Sequence, residues 1–556
     1  MANIASFFNK TISTGEPDFS HATYLVIDSV AEMRKALEMT LSSIGANKVE
    51  FASRATDAIA RIQRADFDVI LSDITLDKPL DGMFLLEELK NRNLLKPSAV
   101  FMIVTSEAHA QNVISAAELA PDDYLLKPFT GEALLKRLER SYAKKQAFRV
   151  VDHAILQHDY LLALAECNHR IDDKDPYLLD FMKMKGKLCL LTGDAVEAKR
   201  TYQQLLDIRP FGWAKMGYGK ALFQQRNYEE AQKVFEELIT ENRYAMEAYD
   251  WLAHCQEARD DALSAQDTLQ KAVNLSPSII HRLRHFGSVA VSNHDWEKVS
   301  KAFTSCVDYG KYTFHHDPMD YAHLSHAQIA QGDIAAAEKT VFQVKKAFQT
   351  PEAAILAKTM DCKLLIEKKQ LFEAEALLAD ALKAYDQLGG QIPADIQVEL
   401  AGSCYQLNQP DAARQIAEQV IKNQSDEPHI ARHLQNMFQA VGKIEEGEQL
   451  IAENNRDFVE KNNIAVNMAK GGDLEGAVQH FLSVLSERPN NLSIMLNTIN
   501  AILAYVNHNG WHEHYMMLAA DYLEHIRTQH PTNGKCQKLM ALYRSLKFKN
   551  RIQEEA

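Results

Sequence analysis

The sequence predicts two architectures in one chain, a doubly wound α/β domain followed by an all-α superhelix of paired helices. Two observations predict them. Up to about residue 145, five short Val/Ile/Leu-rich runs alternate with segments of helical spacing. Beyond that point, small residues that follow a Gly-Asp or similar turn recur at intervals near 34 residues.

The α/β domain is predicted from the five strand-like runs. They cover residues 23–28, 49–52, 68–72, 99–104 and 124–126. The segments between them have apolar residues at helical spacing, as at Met33, Leu37 and Leu41. Five strands and about five helices predict one parallel sheet in a domain over residues 21–145, after an N-terminal extension over residues 1–20.

Polar residues lie at the ends of four of these runs. Asp28, Asp73, Thr105 and Lys127 each follow an apolar stretch of strand type. In an open parallel sheet, ligands bind outside the carboxyl ends of the strands, where the strand order reverses. These residues therefore predict an acidic, cation-binding pocket with a hydroxyl and an ammonium group beside it, which could hold a phosphoryl group.

The motifs around these residues carry a family resemblance. They are Tyr24-Leu-Val-Ile-Asp28, Leu71-Ser-Asp73, Val104-Thr105-Ser-Glu107 and Tyr124-Leu-Leu-Lys127-Pro128. Through them, residues 22 to about 145 resemble the CheY-type, flavodoxin-like receiver domain of bacterial two-component response regulators. The resemblance implies that Asp73 accepts a phosphoryl group from a phosphohistidine of a sensor histidine kinase.

The resemblance also implies roles for the neighbouring residues. Asp28, Asp73 and the backbone carbonyl of Thr75 would bind Mg²⁺, which proteins usually hold with one or two carboxylates. Lys127 would neutralise phosphoryl charge. Thr105 would move to hydrogen-bond the new phosphoryl oxygen, and Tyr124 stands at the position of the rotating switch aromatic.

Two departures from the family pattern bear on the metal. Ser29 stands where most receivers have a second acidic residue, which weakens the attraction for a divalent cation and leaves a ligand role for Ser29 open. The loop from Asp73 to the Asp81-Gly82 pair is one residue longer than in CheY-like chains, which leaves the placement of Thr75 open. A degenerate receiver that serves only for docking or dimerisation is the alternative.

The rest of the chain, residues 148–556, is predicted to be an α-solenoid. Small anchors follow the turns at Ala198, Ala231, Ala265 and Val299, with spacings of 33, 34 and 34 residues. Tetratricopeptide repeats have this period, each repeat being two antiparallel helices. The anchors continue less regularly at Ala337, Ala374, Ala413, Gly447 and Ala477. We expect about ten helix pairs, capped by atypical helices over about 492–548.

The composition indicates a soluble, cytoplasmic, helical protein. Seven scattered cysteines predict reduced packing residues, and a net charge of −14 argues against nucleic acid as a partner. No run of eighteen apolar residues and no leader is evident, so neither membrane insertion nor secretion is indicated. Because Pro, Gly and Ser do not cluster after residue 130, the last receiver helix should run close to or into the first repeat.

Other tempting motifs are interpreted as structural. Gly471-Gly-Asp-Leu-Glu475 resembles a cyclase loop but occupies an inter-helix turn of the repeat pattern. His281 and His285, four residues apart, would suit a metal, yet no carboxylate or cysteine lies near them at a spacing typical of metal ligands. His508, His512 and His514 predict a polar surface or a capping contact.

These parts resemble a response regulator with a tetratricopeptide output, a non-enzymatic signalling adaptor. In this hypothesis, phosphorylation at Asp73 controls how the repeats bind another component of the same pathway. Two alternatives stay open: a phosphate sink on a constitutive scaffold, and a repeat array that senses a peptide or small ligand. Whether the chain forms a homodimer also stays open.

Overall fold

The computed structural model describes residues 21–76, 80–92, 94–96, 98–106, 121–424 and 427–555. Its first domain is a five-stranded, all-parallel sheet. The strands are β1 (Thr23–Ile27), β2 (Lys48–Ala52), β3 (Val69–Ser72), β4 (Val100–Thr105) and β5 (Asp123–Leu126). They are arranged in the order β2-β1-β3-β4-β5, so the strand order reverses between β1 and β3. The predicted α/β fold class is confirmed.

Helices cover both faces of the sheet. Those among the described residues are α1 (Ala31–Ser43), α2 (Ala55–Ile62), α3 (Gly82–Asn91) and α4 (Gly131–Leu156). The segment between β4 and β5, where the sequence predicts a further helix, lies mostly outside the described residues. The central strands β3 and β4 are buried along their whole length, which is why they read as continuous apolar runs. One core, around Leu85 and Leu89, lies between the sheet and α2 and α3, and the other, around Leu37 and Leu134, lies on the opposite face.

The helix α4 joins the two parts of the chain without a break. It starts in the α/β domain, where Leu134 and Leu138 are in the core, and continues to Leu156. Its last part contributes Phe148 and Val151 to the first core of the helical region. The sequence expectation that the last receiver helix runs into the repeats is confirmed, and such a helix makes a stiff junction.

The helical region is built from antiparallel helices joined by short turns. Nearly all of them have 12–18 residues. In chain order, they are α5 (Tyr160–Asp172), α6 (Leu178–Leu191), α7 (Ala195–Ile208), α8 (Gly212–Gln224), α9 (Tyr228–Glu241), α10 (Met246–Glu257), α11 (Ala262–Leu275), α12 (Ile280–Ser292), α13 (Trp296–Gly310), α14 (Pro318–Ala330), α15 (Ile334–Ala347), α16 (Pro351–Glu367), α17 (Leu371–Gln387), α18 (Ala394–Gln406), α19 (Pro410–Gln424), α20 (Pro428–Ala440), α21 (Ile444–Lys470), α22 (Leu474–Glu487), α23 (Leu492–Asn509), α24 (Glu513–Gln529) and α25 (Gly534–Glu555).

The predicted anchors occupy one position throughout the array. Each is the fourth residue of its helix, from Ala198 in α7 to Ala477 in α22, and each is buried. The shortest spacing, between Gly447 and Ala477, has a simple cause. There, the long helix α21 serves both as the second helix of one pair and as the first helix of the next. The all-α repeat class is confirmed.

The turns between the helices repeat as well. In the Gly471-Gly-Asp-Leu-Glu475 segment, Gly472 has a φ of +90° and Asp473 caps α22 by accepting the Gly476 N–H at 2.8 Å. The equivalent Gly193 and Gly332 also have positive φ. The structural interpretation of this motif is confirmed. All seven cysteines are buried as free thiols, as predicted.

The superhelix winds tightly enough for distant repeats to meet. Arg544 in α25 binds Asp159, the residue before α5, at 2.7 Å. Elsewhere in the array, Arg432 in α20 binds Glu257 at the end of α10 at 2.8 Å. The array therefore closes on itself. Within the described ranges, we find no helix that is both long and apolar enough to cross a bilayer.

The packing of Tyr202 gives the first testable prediction. Its ring lies between Gly186 of its own helix pair and Gly217 of the next, and a β-carbon at Gly217 would overlap the ring. The Tyr202 ring already lies against Gly186, so it cannot move away from a new side chain at Gly217. We therefore expect Gly217→Ala to lower the free energy of unfolding by about 1–3 kcal/mol. Urea denaturation measures this loss. Gly212→Ala, in the same helix, is the control, since its β-carbon would meet only Leu238 at 3.9 Å. An equal loss in both variants would contradict the overlap.

Candidate functional site

The predicted strand-end residues lie together at the carboxyl edge of the sheet. The Lys127 ammonium is 2.5 Å from an Asp73 oxygen and 2.6 Å from an Asp28 oxygen. The other Asp73 oxygen accepts the Thr105 hydroxyl at 2.7 Å. Asp28, Asp73 and Thr105 are all buried, and they lie where β1, β3 and β4 end side by side. The pocket thus has two desolvated carboxylates that share one cation.

Four oxygen-containing groups on one side of the pocket could bind a cation. Besides the carboxylates of Asp28 and Asp73, the Ser29 hydroxyl lies 3.3 Å from the backbone carbonyl of Thr75, to which it donates. The longer loop therefore still turns the Thr75 carbonyl toward Ser29. Carboxylate, carbonyl and hydroxyl oxygens are the donors that Mg²⁺ prefers, so the donor set fits this ion. Bound there, Mg²⁺ would screen the negative charge between the carboxylates and an incoming phosphoryl group.

Arg34 is a pocket residue that the sequence interpretation missed. Its guanidinium, on the first turn of α1, donates to the backbone carbonyls of Asp28 at 2.6 Å and Ser29 at 3.1 Å. It therefore fixes the loop that presents the acidic side chain. Its only sequence signal was an arginine six residues after the strand-end acid, and such a spacing is too common on helices to single out.

The structure describes Tyr124 but not two other predicted features. Tyr124, the predicted switch aromatic, lies on β5 and packs partly buried against the core that includes Ile103. Glu107 and the middle of the loop after Asp73 lie outside the described residues.

Helix α3 starts directly against the pocket. The N–H of Gly82 donates to the Ile74 carbonyl at 2.9 Å, and a β-carbon at Gly82 would overlap the carbonyl oxygen of Asp73. Asp81 caps the helix by accepting N–H groups of Met83 and Phe84, and burial raises the pKa of Asp81. The first turn of α3 therefore packs directly on the backbone of Asp73.

The other end of α3 contacts the repeats. Its Glu87 carboxylate is 2.8 Å from Nε2 of His315, and its Glu88 accepts the Phe314 N–H at 3.4 Å. Glu88 is buried and also pairs with Arg92. His315 belongs to the connection between α13 and α14. The helix that begins at the acceptor loop thus ends on the middle of the superhelix.

From His315, contacts continue into the interior of the superhelix. The His315 carbonyl accepts an N–H of Arg284 at 2.6 Å. The same guanidinium binds both carboxylate oxygens of Asp320 at 2.8 Å each. Arg284 and Asp320 line a cavity of about 480 Å³ between α12, α14, α18 and α20. A continuous set of contacts therefore joins the acceptor loop to this cavity.

A charged cluster forms one wall of the cavity. His433 is held between Asp395 at 2.8 Å and Glu399 at 2.9 Å, and Lys363 also pairs with Glu399. Burial alone would lower the pKa of His433, but the two carboxylates outweigh it and raise this pKa to about 9. The neighbouring His323 has the opposite shift, because burial lowers its pKa to about 4.

The raised pKa of His433 gives a prediction about pH. A group with a raised folded-state pKa stabilises the fold fully below its unfolded pKa, near 6.5, and loses that contribution as the pH rises through about 9. The shift corresponds to at most about 3 kcal/mol. We expect the melting temperature of wild type to be higher than that of His433→Asn at pH 6, and this difference should shrink toward pH 9.5. A gap in melting temperature that does not change with pH would contradict the ion pair.

Comparisons with known proteins find matches for both parts of the chain. The family model described as the response regulator receiver domain matches residues 24–139, and one described as the tetratricopeptide repeat matches residues 216–278. Chemotaxis protein CheY-3 of Vibrio cholerae is 28% identical over 120 residues, which are 22% of this chain and 91% of that protein. Chemotaxis protein CheY of Pseudomonas aeruginosa is also 28% identical over 120 residues, 22% of this chain and 95% of the relative. A solved structure of CheY4 from Vibrio cholerae has 28% identity and a TM-score of 0.20, covering 22% of this chain and 98% of its own.

The sheet order, the strand-end residues and the matching model define a receiver domain of the response regulator class. The chain combines this N-terminal, CheY-like receiver with tetratricopeptide repeats. Receivers interact with histidine kinases, and tetratricopeptide repeats mediate contacts between proteins. The likeness to the chemotaxis proteins covers only the receiver.

Proposed function

We propose that the chain is a signalling adaptor whose receiver, phosphorylated at Asp73, controls what its repeats bind. One observation carries the proposal: helix α3 touches the Asp73 backbone at one end and the repeats at the other. The input is a phosphoryl group from a sensor histidine kinase. The output is a contact with another signalling protein. Residues 21–145 form the receiver and residues 148–556 the binding array in this proposal, with α4 shared by both.

The pocket supports phosphoryl transfer to Asp73. A carboxylate oxygen of Asp73 attacks phosphorus while the bond from phosphorus to the kinase histidine breaks, and the proton that the histidine needs comes from solvent. Asp28, Asp73 and the Thr75 carbonyl would hold Mg²⁺ near the transferred group, with Ser29 beside them. Lys127, now shared by two carboxylates, is placed to donate a hydrogen bond to a phosphoryl oxygen.

Phosphorylation at Asp73 would disturb two contacts that now hold its carboxylate. The new group must take the Thr105 hydroxyl and the Lys127 ammonium for itself. Thr105 would move toward the phosphoryl oxygen and Tyr124 would follow. Because Gly82 packs on the Asp73 carbonyl, α3 would shift with the loop. The shift changes partner binding only to the extent that the partner binds one of the two conformations more tightly than the other.

The test is a pull-down from lysate of the native cell with full-length protein, with and without beryllofluoride, a phosphoryl mimic. We expect a captured protein whose recovery changes with beryllofluoride for wild type and does not change for Asp73→Ala. A matched sample of Asp66→Ala, an exposed acid outside the pocket, should behave like wild type. If wild type recovers equal amounts of the captured protein with and without beryllofluoride, the adaptor proposal is wrong, and the chain is a constitutive scaffold or a phosphate sink.

The cavity supports a second candidate, in which the repeats sense a small ligand or peptide. Its volume of about 480 Å³ lies in the range of small-molecule sites, and polar side chains converge on apolar walls that include Phe303 and Met437. Native mass spectrometry of the freshly purified full chain separates the two candidates. A ligand that stays bound to wild type but is absent from Lys363→Met would favour the candidate in which the repeats sense a ligand.

A further inference from the structure

Two histidines and a glutamate meet on the inner side of the superhelix. Glu257 and His254 lie three residues apart at the end of α10, and His285 reaches them from α12 in the next repeat. His285 Nε2 is 2.5 Å from an oxygen of Glu257, and His254 Nδ1 is 3.5 Å from the same oxygen. The donor atoms of all three residues lie within 4.8 Å of one another.

This arrangement corrects one sequence interpretation. The sequence spacing predicts no carboxylate ligand beside His285, yet Glu257, 28 residues earlier, contacts it directly. The repeat explains the contact, because the first helices of neighbouring pairs lie side by side and residues almost one period apart can meet. His281, its predicted companion, does not belong to the three-residue group.

We propose that His254, Glu257 and His285 form a binding site for a divalent transition-metal ion of the zinc class. Two imidazoles and one carboxylate are the ligand composition of zinc sites that keep a fourth position open. Hard ions such as Mg²⁺ or Ca²⁺ prefer all-oxygen sites and fit less well. The ion would take the place of the hydrogen bond between His285 and Glu257. The exposed His254 ring, now stacked on His285 with ring centroids 4.3 Å apart, would turn so that its nitrogen faces the ion.

The surroundings of the three residues suit an ion. Arg432 binds the other oxygen of Glu257 at 2.8 Å, which orients the carboxylate and leaves one oxygen for the ion. Glu257 and His285 are largely buried, whereas the His254 side chain is 44% exposed, which gives an approach and an open face. The ion would join α10 and α12, and through Glu257 and Arg432 also the opposite wall at α20.

The test is a titration of untagged, full-length protein with Co²⁺, a spectroscopic substitute for Zn²⁺. Four-coordinate cobalt with nitrogen ligands absorbs visible light far more strongly than six-coordinate cobalt bound by oxygens, so the receiver pocket cannot mimic the signal. We expect one equivalent of strongly absorbing Co²⁺, which Zn²⁺ displaces. The band should survive in Asp73→Asn.

Variants of the ligands decide the assignment. We expect His254→Ala, Glu257→Gln and His285→Ala each to lose the band and to bind Zn²⁺ at least tenfold more weakly by calorimetry. His169→Ala, an exposed histidine on α5, should match wild type. Because His254 is half exposed, its variant should fold, which circular dichroism checks. A band that is absent from wild type, or unchanged in all three ligand variants, would overturn the site.

Discussion

Asp73→Asn will abolish phosphorylation of the full-length chain by acetyl phosphate. Asp73 is the carboxylate that both the Lys127 ammonium and the Thr105 hydroxyl contact, and the amide keeps its shape but lacks the nucleophilic oxygen anion. The expected loss is complete. Labelled phosphate retained on the protein, measured by mass spectrometry at neutral pH, checks it.

Asp28→Asn is the informative companion of that variant. It keeps the acceptor but removes one of two carboxylates that would hold Mg²⁺, so labelling should persist and require more Mg²⁺. Chelation of Mg²⁺ should stop labelling of wild type. If Asp73→Asn is still labelled, another residue is the acceptor. If wild type is never labelled, by acetyl phosphate or by any kinase of its host, the receiver is degenerate.

Much of the fold follows from patterns with a short range along the chain. Strand ends could be predicted because apolar runs stop at a polar residue, as at Asp28 and Asp73. The repeat anchors could be predicted because helix pairs of one length place a small residue at one interval, as at Ala198 and Ala231. In both cases, local sequence sets local structure, and the topology then brings the pieces together.

The contacts that join distant parts could not be predicted in this way. Arg544 and Asp159 are 385 residues apart, and Glu87 and His315 are 228 apart. Each is an ordinary polar or charged residue on a helix or in a loop, so no local pattern distinguishes it. Which of them meet depends on the pitch of the whole superhelix, the sum of many small angles between repeats.

The link between α3 and the repeats makes the second large prediction. If phosphorylation reaches the repeats through Glu87 and His315, then Glu87→Gln or His315→Ala will uncouple them. Hydrogen exchange of residues 310–330 in full-length protein should change with beryllofluoride in wild type, because the loop that α3 contacts lies there. In either variant, that response should fall to the level of Asp73→Ala. Phosphorylation of Asp73 itself should persist, since neither residue touches the pocket.

A double-mutant cycle makes the test specific to this pair. Both side chains are partly buried, with 17% of His315 and 29% of Glu87 exposed, so we expect a coupling of about 1 kcal/mol in the free energy of unfolding. The double variant should therefore be little less stable than either single variant. Lys144→Gln is the control, since it breaks a 2.7 Å ion pair between α4 and Asp180 that does not involve α3. It should leave the beryllofluoride response intact. If the response vanishes in Lys144→Gln but survives in Glu87→Gln, the signal travels along α4, and the contact at His315 only holds the two parts together.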